Sequence, residues 1–265
     1  MSQSPWAPPY GQEPMSGQNQ QDQIDQQSQL VTKKFSVRAI LGIWTASYAI
    51  AILLTTLALA SSGNLANKVG EKIAEPKWFL GVSAVLLWGP FILGLSIASR
   101  RIGSGNFVKD YFLSFRLVDL LGIPIGVLSQ VFLVGIVTWP FHVLFPEKFD
   151  PKNIEKRARD LFDNAHGIWL VVLVVVVVVG APIVEELVYR GLIQGHLRGS
   201  INEIAALFVT AVWFAGIHLQ IVEFPGLFAF AIVLGSCFHF TKRLGMSVAA
   251  HIAFNATGLI LVALL

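Results

Sequence analysis

One cysteine in 265 residues leaves Cys237 without a partner, which excludes a disulfide framework and cysteine-based metal sites. Charge is scarce as well. Asp, Glu, Lys and Arg make up 13% of the chain and hydrophobic residues 54%, whereas soluble domains are roughly a quarter charged. An ordinary soluble domain is therefore excluded, and the chain reads as integral to a membrane. The phosphate-loop pattern G-x-x-x-x-G-K-[ST], the zinc pattern H-E-x-x-H and the nucleophile pattern G-x-S-x-G are all missing. So is any internal repeat. The net charge is only +3, and the bases gather in loops beside apolar runs, which is a topology signal and not a nucleic-acid footprint.

What is present begins with a tail. Residues 1–36 are rich in Gln, Pro and Ser, with too few apolar groups to offset the entropy of ordering, and read as disordered. Apolar runs follow at about 38–61, 79–99, 119–143, 167–189, 203–221, 225–241 and 245–265. At roughly 20 residues per crossing, they predict an all-α, polytopic helical bundle of about seven transmembrane helices, with 225–241 the least certain span. Residues 37–143 form an N-terminal membrane part, 144–166 an amphipathic connection with five bases and five acids, and 167–265 a second membrane part that holds the polar residues. The positive-inside rule favours a cytoplasmic N-terminus. It puts Arg100, Arg101, Lys109, Arg116, Arg190, Arg198, Lys242 and Arg243 inside, against Lys68, Lys72, Lys77 and the 144–166 loop outside. The plasma membrane is the expected location.

Three polar constellations interrupt the apolar second half. Glu185-Glu186-x-x-x-Arg190 follows a run of valines, where each buried acid costs about 2.5–3.5 kcal/mol on insertion scales. Glu186 and Arg190 stand at i,i+4 with the acid N-terminal, the favoured sense for an ion pair. That leaves Glu185, about 100° around the helix, free for chemistry. Pro182 one turn upstream is positioned to kink the helix. Phe214 and His218 share a face on the next helix, where Gly216 suggests a close helix approach. His251 and Asn255 share a face on the last, among small alanines. Counted from a turn at Gly199-Ser200, and from Gly245 on the same side, Glu185, His218, His251 and Asn255 reach comparable depths and can be approached from that end. Any one constellation alone fits helix packing or an ion-pair staple; together they point to a catalytic site. His142, His166, His196 and His239 read as packing or interfacial residues, and Gly180, Gly191 and Gly195 as packing or helix-end glycines.

At these residues the chain resembles the CPBP family of intramembrane proteases, which includes the type II CAAX prenyl endopeptidases and bacteriocin-immunity proteins. The family pattern is E-E-x-x-x-R, then F-x-x-x-H, then H-x-x-x-N or H-x-x-x-D. Here it reads Glu185-Glu186-Leu187-Val188-Tyr189-Arg190, Phe214-Ala215-Gly216-Ile217-His218 and His251-Ile252-Ala253-Phe254-Asn255. The resemblance covers about residues 167–258 and implies hydrolysis of a peptide bond in a membrane-associated protein or peptide, with CAAX-type C-terminal processing as one form it can take. It implies that Glu185, helped by His218, activates a water, and that His251 and Asn255 stabilise the oxyanion. Glu186 and Arg190 would hold the helix. Glu185, His218 and His251 supply the donor types of a catalytic zinc site, while a metal-free glutamate scheme is equally allowed by the resemblance. The other functions weighed are a silent membrane scaffold or immunity protein, and a proton-coupled transporter, for which internal repeats would be expected.

Overall fold

The computed structural model describes residues 35–61, 78–150, 159–163 and 165–264. The expected disordered tail up to residue 34, and residues 151–158 of the expected amphipathic connection, lie outside the described residues. Seven main helices make up the described chain, and no strand occurs among those residues. They are α1 Val37–Ser61, α2 Phe79–Arg101, α3 Leu117–Leu144, α4 Ile168–Leu197, α5 Glu203–Ile217, α6 Phe224–Thr241 and α7 Gly245–Leu264. All except α5 are long and apolar enough to cross a membrane. Large apolar side chains such as Leu53, Val85, Ile136 and Leu144 face outward. In water such a surface would be an aggregation hazard; in lipid it is the solvated face. The protein is a multi-pass membrane protein.

The expected seven spans become six, plus the short α5. At 15 residues and 1.5 Å per residue, α5 is about 22 Å long. It stops at Ile217 because Leu219 takes a left-handed φ of 54°, which a leucine adopts only at a cost. Hydropathy alone carries the pattern on to residue 221. By contrast α6, the span least certain from sequence, is the most enclosed of the candidate spans.

The bundle is held by close crossings and buried polar staples. A side-chain carbon on Gly122 would lie 2.8 Å from the Ala250 nitrogen, and one on Gly126 would lie 2.9 Å from the Phe254 nitrogen. These two glycines therefore let α3 touch the backbone of α7, opposite the small alanines of that helix. Gly126→Leu is expected to push α7 away, at about 1–3 kcal/mol for overpacking, and to lower activity with it. Thermal unfolding in detergent checks this; an unchanged midpoint would contradict it. Asp119 accepts two hydrogen bonds from the Arg243 guanidinium at 2.8 Å each, tying the start of α3 to the α6–α7 turn.

Arg190 requires a correction. Its side chain is fully buried in α4, so it is no loop charge and drops out of the positive-inside tally. The stretch after it is packed within the protein: residues 187–197 are all buried. His196 stacks on Phe35 with ring centroids 4.2 Å apart, accepts from the Phe35 N–H at 3.3 Å and donates to the Asp110 carbonyl at 2.9 Å. It is a packing histidine, as expected, and Phe35 belongs to the bundle, not the tail.

Candidate functional site

Helix α4 departs from regular α geometry on both sides of the acidic pair. Residues Val174–Gly180 and Leu187–Gln194 are π-helical, and Ala181–Glu186 between them is α-helical. Pro182 has no N–H to give and crowds the carbonyl one turn back. The wider winding before it accommodates that defect without breaking the helix, and such turns gather at functional sites. Gly180 then lets α4 pass the Trp88 ring, and Gly195 the Phe112 ring. Gly216 serves no such purpose, since a side-chain carbon there would meet open space. The close approach expected at that glycine does not occur among the described residues.

The two adjacent acids have separate environments. Glu186 is fully buried, and its Oε1 accepts from Arg190 at 2.9 Å and lies 2.9 Å from His251 Nδ1. Arg190 also donates to the Ala231 carbonyl of α6 at 3.0 Å and lies over the Phe214 ring, 4.9 Å from its centroid. Glu186 is thus the hub of a buried network joining α4, α6 and α7, beyond the single ion pair expected. Glu185 instead is 30% exposed and faces a cavity. His251 approaches it, with Nε2 3.7 Å from Glu185 Oε2, too long for a direct hydrogen bond.

That cavity has a volume of about 750 Å³, within the usual range for a ligand site. Glu185, His218 and Asn255 all line it, and His251 touches both acids from behind. The four residues expected at one depth do come together. A carbonyl only accepts, so the 2.7 Å contact between His218 Nδ1 and the Phe214 carbonyl fixes the proton on Nδ1. In the neutral ring, Nε2 is then left as an acceptor. Phe214 is the shared wall: its ring centroid lies 4.9 Å from that of His218 and 5.9 Å from that of His251. Phe230 closes the other side of His251 at 5.5 Å. Asn255 donates one amide hydrogen to the Val177 carbonyl at 2.8 Å, which holds the side chain against the π-helical turn and leaves the second hydrogen available.

None of residues 190–202 or 241–250 lines the cavity. It extends the other way, toward Leu161, Thr138, Leu261 and Val262. The approach expected from the Gly199-Ser200 end is replaced by one from the opposite end of the helices. The N-terminal helices supply much of the wall, including Tyr48, Thr55, Trp88 and Gln130. Sequence reasoning missed these, and it missed Glu223. The available signal was a polar side chain inside or beside an otherwise apolar run.

For zinc, the donor types are right. Among the described residues, no three His, Cys, Asp or Glu side chains come together as a metal site. Both histidines have Nδ1 engaged, one by a carbonyl and one by Glu186, which leaves Nε2 as the ring nitrogen each could offer to a ligand.

A family model described as type II CAAX prenyl endopeptidase Rce1-like matches residues 167–257, about a third of the chain. That segment holds all three polar constellations. No curated protein and no solved structure matches the chain.

Proposed function

We propose that this chain, which carries an Rce1-like domain at residues 167–257, is an endopeptidase that hydrolyses a peptide bond inside the membrane by glutamate and histidine chemistry. The observation that carries it is the division of labour between the acids: Glu186 is buried in the network around Arg190 and His251, while Glu185 faces the cavity beside His218. A water in the cavity gives a proton to Glu185 while its oxygen attacks the substrate carbonyl carbon. His218 Nε2 accepts from that water and orients it. The carbonyl oxygen takes on negative charge, which Asn255 meets with its free amide hydrogen and His251 with Nε2–H when the ring carries both protons. Glu186 accepts from Nδ1 and holds that ring in place. Preorganised donors of this kind often supply the largest single share of rate acceleration. Glu185 then returns the proton to the leaving amine as the C–N bond breaks.

His218→Ala and His251→Ala are each expected to lower cleavage by about 10²–10⁴-fold, the usual contribution of acid–base and oxyanion groups. No step is routed through a metal, so wild-type protein stripped by a chelator and verified metal-free should keep its activity. Cleavage at wild-type rate by both histidine variants would overturn the proposal, and loss of activity on stripping restored by zinc alone would overturn the metal-free scheme. We also place the N-terminus in the cytoplasm and the protein in the plasma membrane. Even without Arg190, the bases Arg100, Arg101, Arg198, Lys242 and Arg243 cluster at one end of the bundle. With that orientation the cavity runs away from the cytoplasmic end.

A further inference from the structure

The cavity wall holds a second acid for which the reaction has no use. Glu223 lies just before α6, in the loop that returns from His218, and it lines the same cavity as Glu185. It occupies the position from which a side chain usually caps a helix, yet it makes no capping bond. Glu203, at the start of α5, shows what a spent acid looks like here: it is bonded to Lys242, paired with His239 at 3.0 Å and faces Arg198 at 3.8 Å. No described residue hydrogen-bonds or ion-pairs with the Glu223 carboxylate in this way. The described residues lining the cavity include two acids, Glu185 and Glu223, and neither a lysine nor an arginine.

We propose that Glu223 sets substrate preference by receiving a cationic group of the peptide, a lysine, an arginine or a free amine close to the scissile bond. This rests on the endopeptidase reading above and names the substrate class for it. The wall around the acid is apolar, with Val222, Leu227, Leu259 and Val262 among its members. In such surroundings an ion pair is far stronger than in water, and two like charges repel as strongly. An acidic side chain entering this wall beside Glu223 meets a second carboxylate and no lysine or arginine among the described lining residues, so the same geometry that admits a base disfavours an acid. The substrate bond is thus one whose neighbourhood is basic or neutral. The structural alternative is that Glu223 only favours the positive N-terminal end of α6. That role changes stability and leaves preference alone, so the two are separable.

The experiment uses the full-length protein in detergent and a membrane-anchored peptide that it cleaves. Positions on either side of the scissile bond are set in turn to Lys, Gln or Glu. The wild type is expected to show kcat/KM at least about tenfold higher for the best Lys peptide than for its Glu counterpart. Glu223→Gln should bring that ratio to within about twofold and Glu223→Lys should invert it. The same peptides are also titrated, without turnover, onto Glu185→Gln protein with and without Glu223→Gln, and Kd is read by fluorescence anisotropy. A Lys-over-Glu preference in Kd that Glu223→Gln removes supports the proposal whether or not cleavage is seen. A preference that is absent, or that survives Glu223→Gln in both assays, overturns it. Failure of the endopeptidase reading has a different signature: the wild type would cleave none of the peptides, whatever preference the Kd titration shows.

Discussion

Glu185→Gln is expected to reduce peptide cleavage by about 10²–10⁴-fold, the usual worth of a positioned general base, with the folded protein left intact. The reason lies in what the side chain touches. Glu185 is 30% exposed and lines the cavity, and the His251 ring nitrogen that faces it stands 3.7 Å away. An amide of the same shape fits that space and cannot take the proton of an attacking water. Thermal unfolding of the variant in detergent should match the wild type while turnover disappears. Turnover near the wild-type rate would show that another group is the base. A large fall in melting temperature would show that Glu185 is structural.

The neighbouring acid should behave in the opposite way. Glu186→Ala removes the carboxylate that Arg190 and His251 share and leaves the Arg190 guanidinium fully buried without its countercharge. Breaking one side of a buried pair typically costs about 3–5 kcal/mol. Arg190→Ala should cost a similar amount by stranding Glu186. The double variant Glu186→Ala/Arg190→Ala should be more stable than either single one, because no charge is then left unpaired. Activity should be lost in all three, since Glu186 is also what orients His251. Unfolding midpoints of the set decide the matter; single variants as stable as the wild type would contradict the network.

The contrast between adjacent acids was partly legible in the sequence. The i,i+4 spacing identified the Glu186–Arg190 pair, and helix rotation set Glu185 apart from it. The bond from Glu186 to His251 crosses 65 positions, and no local pattern carries that information. Arg190 looked like a loop charge because the stretch after it is polar, yet that stretch is buried against Phe35, Asp110 and Phe112, contributed from far away in the chain. The helix bounds were readable because long apolar runs leave few alternatives in a bilayer. The early end of α5 was not, since it depends on the backbone at His218 and Leu219 and not on hydropathy. The N-terminal helices showed no functional signal for a similar reason: residues facing lipid and residues facing an apolar cavity have the same composition. Tyr48, Thr55, Gln130 and Thr138 are the polar exceptions, and they are noticed only once the cavity is known.

Glu223 illustrates the same limit from the other side. As an acid near the end of an apolar run it looks like an ordinary interfacial charge. Its position on the wall opposite no lysine or arginine among the described lining residues comes from the fold.

The central claim is that the chain cleaves membrane-associated proteins and that Glu185 does the chemistry. Comparative membrane proteomics tests this most directly, with new N-termini quantified in a deletion strain carrying the wild-type gene, the Glu185→Ala gene or neither. The account predicts that the same uncleaved proteins accumulate in the deletion and Glu185→Ala strains, at matched levels of inserted protein, and disappear with the wild-type gene. Restoration of the wild-type pattern by Glu185→Ala would contradict it.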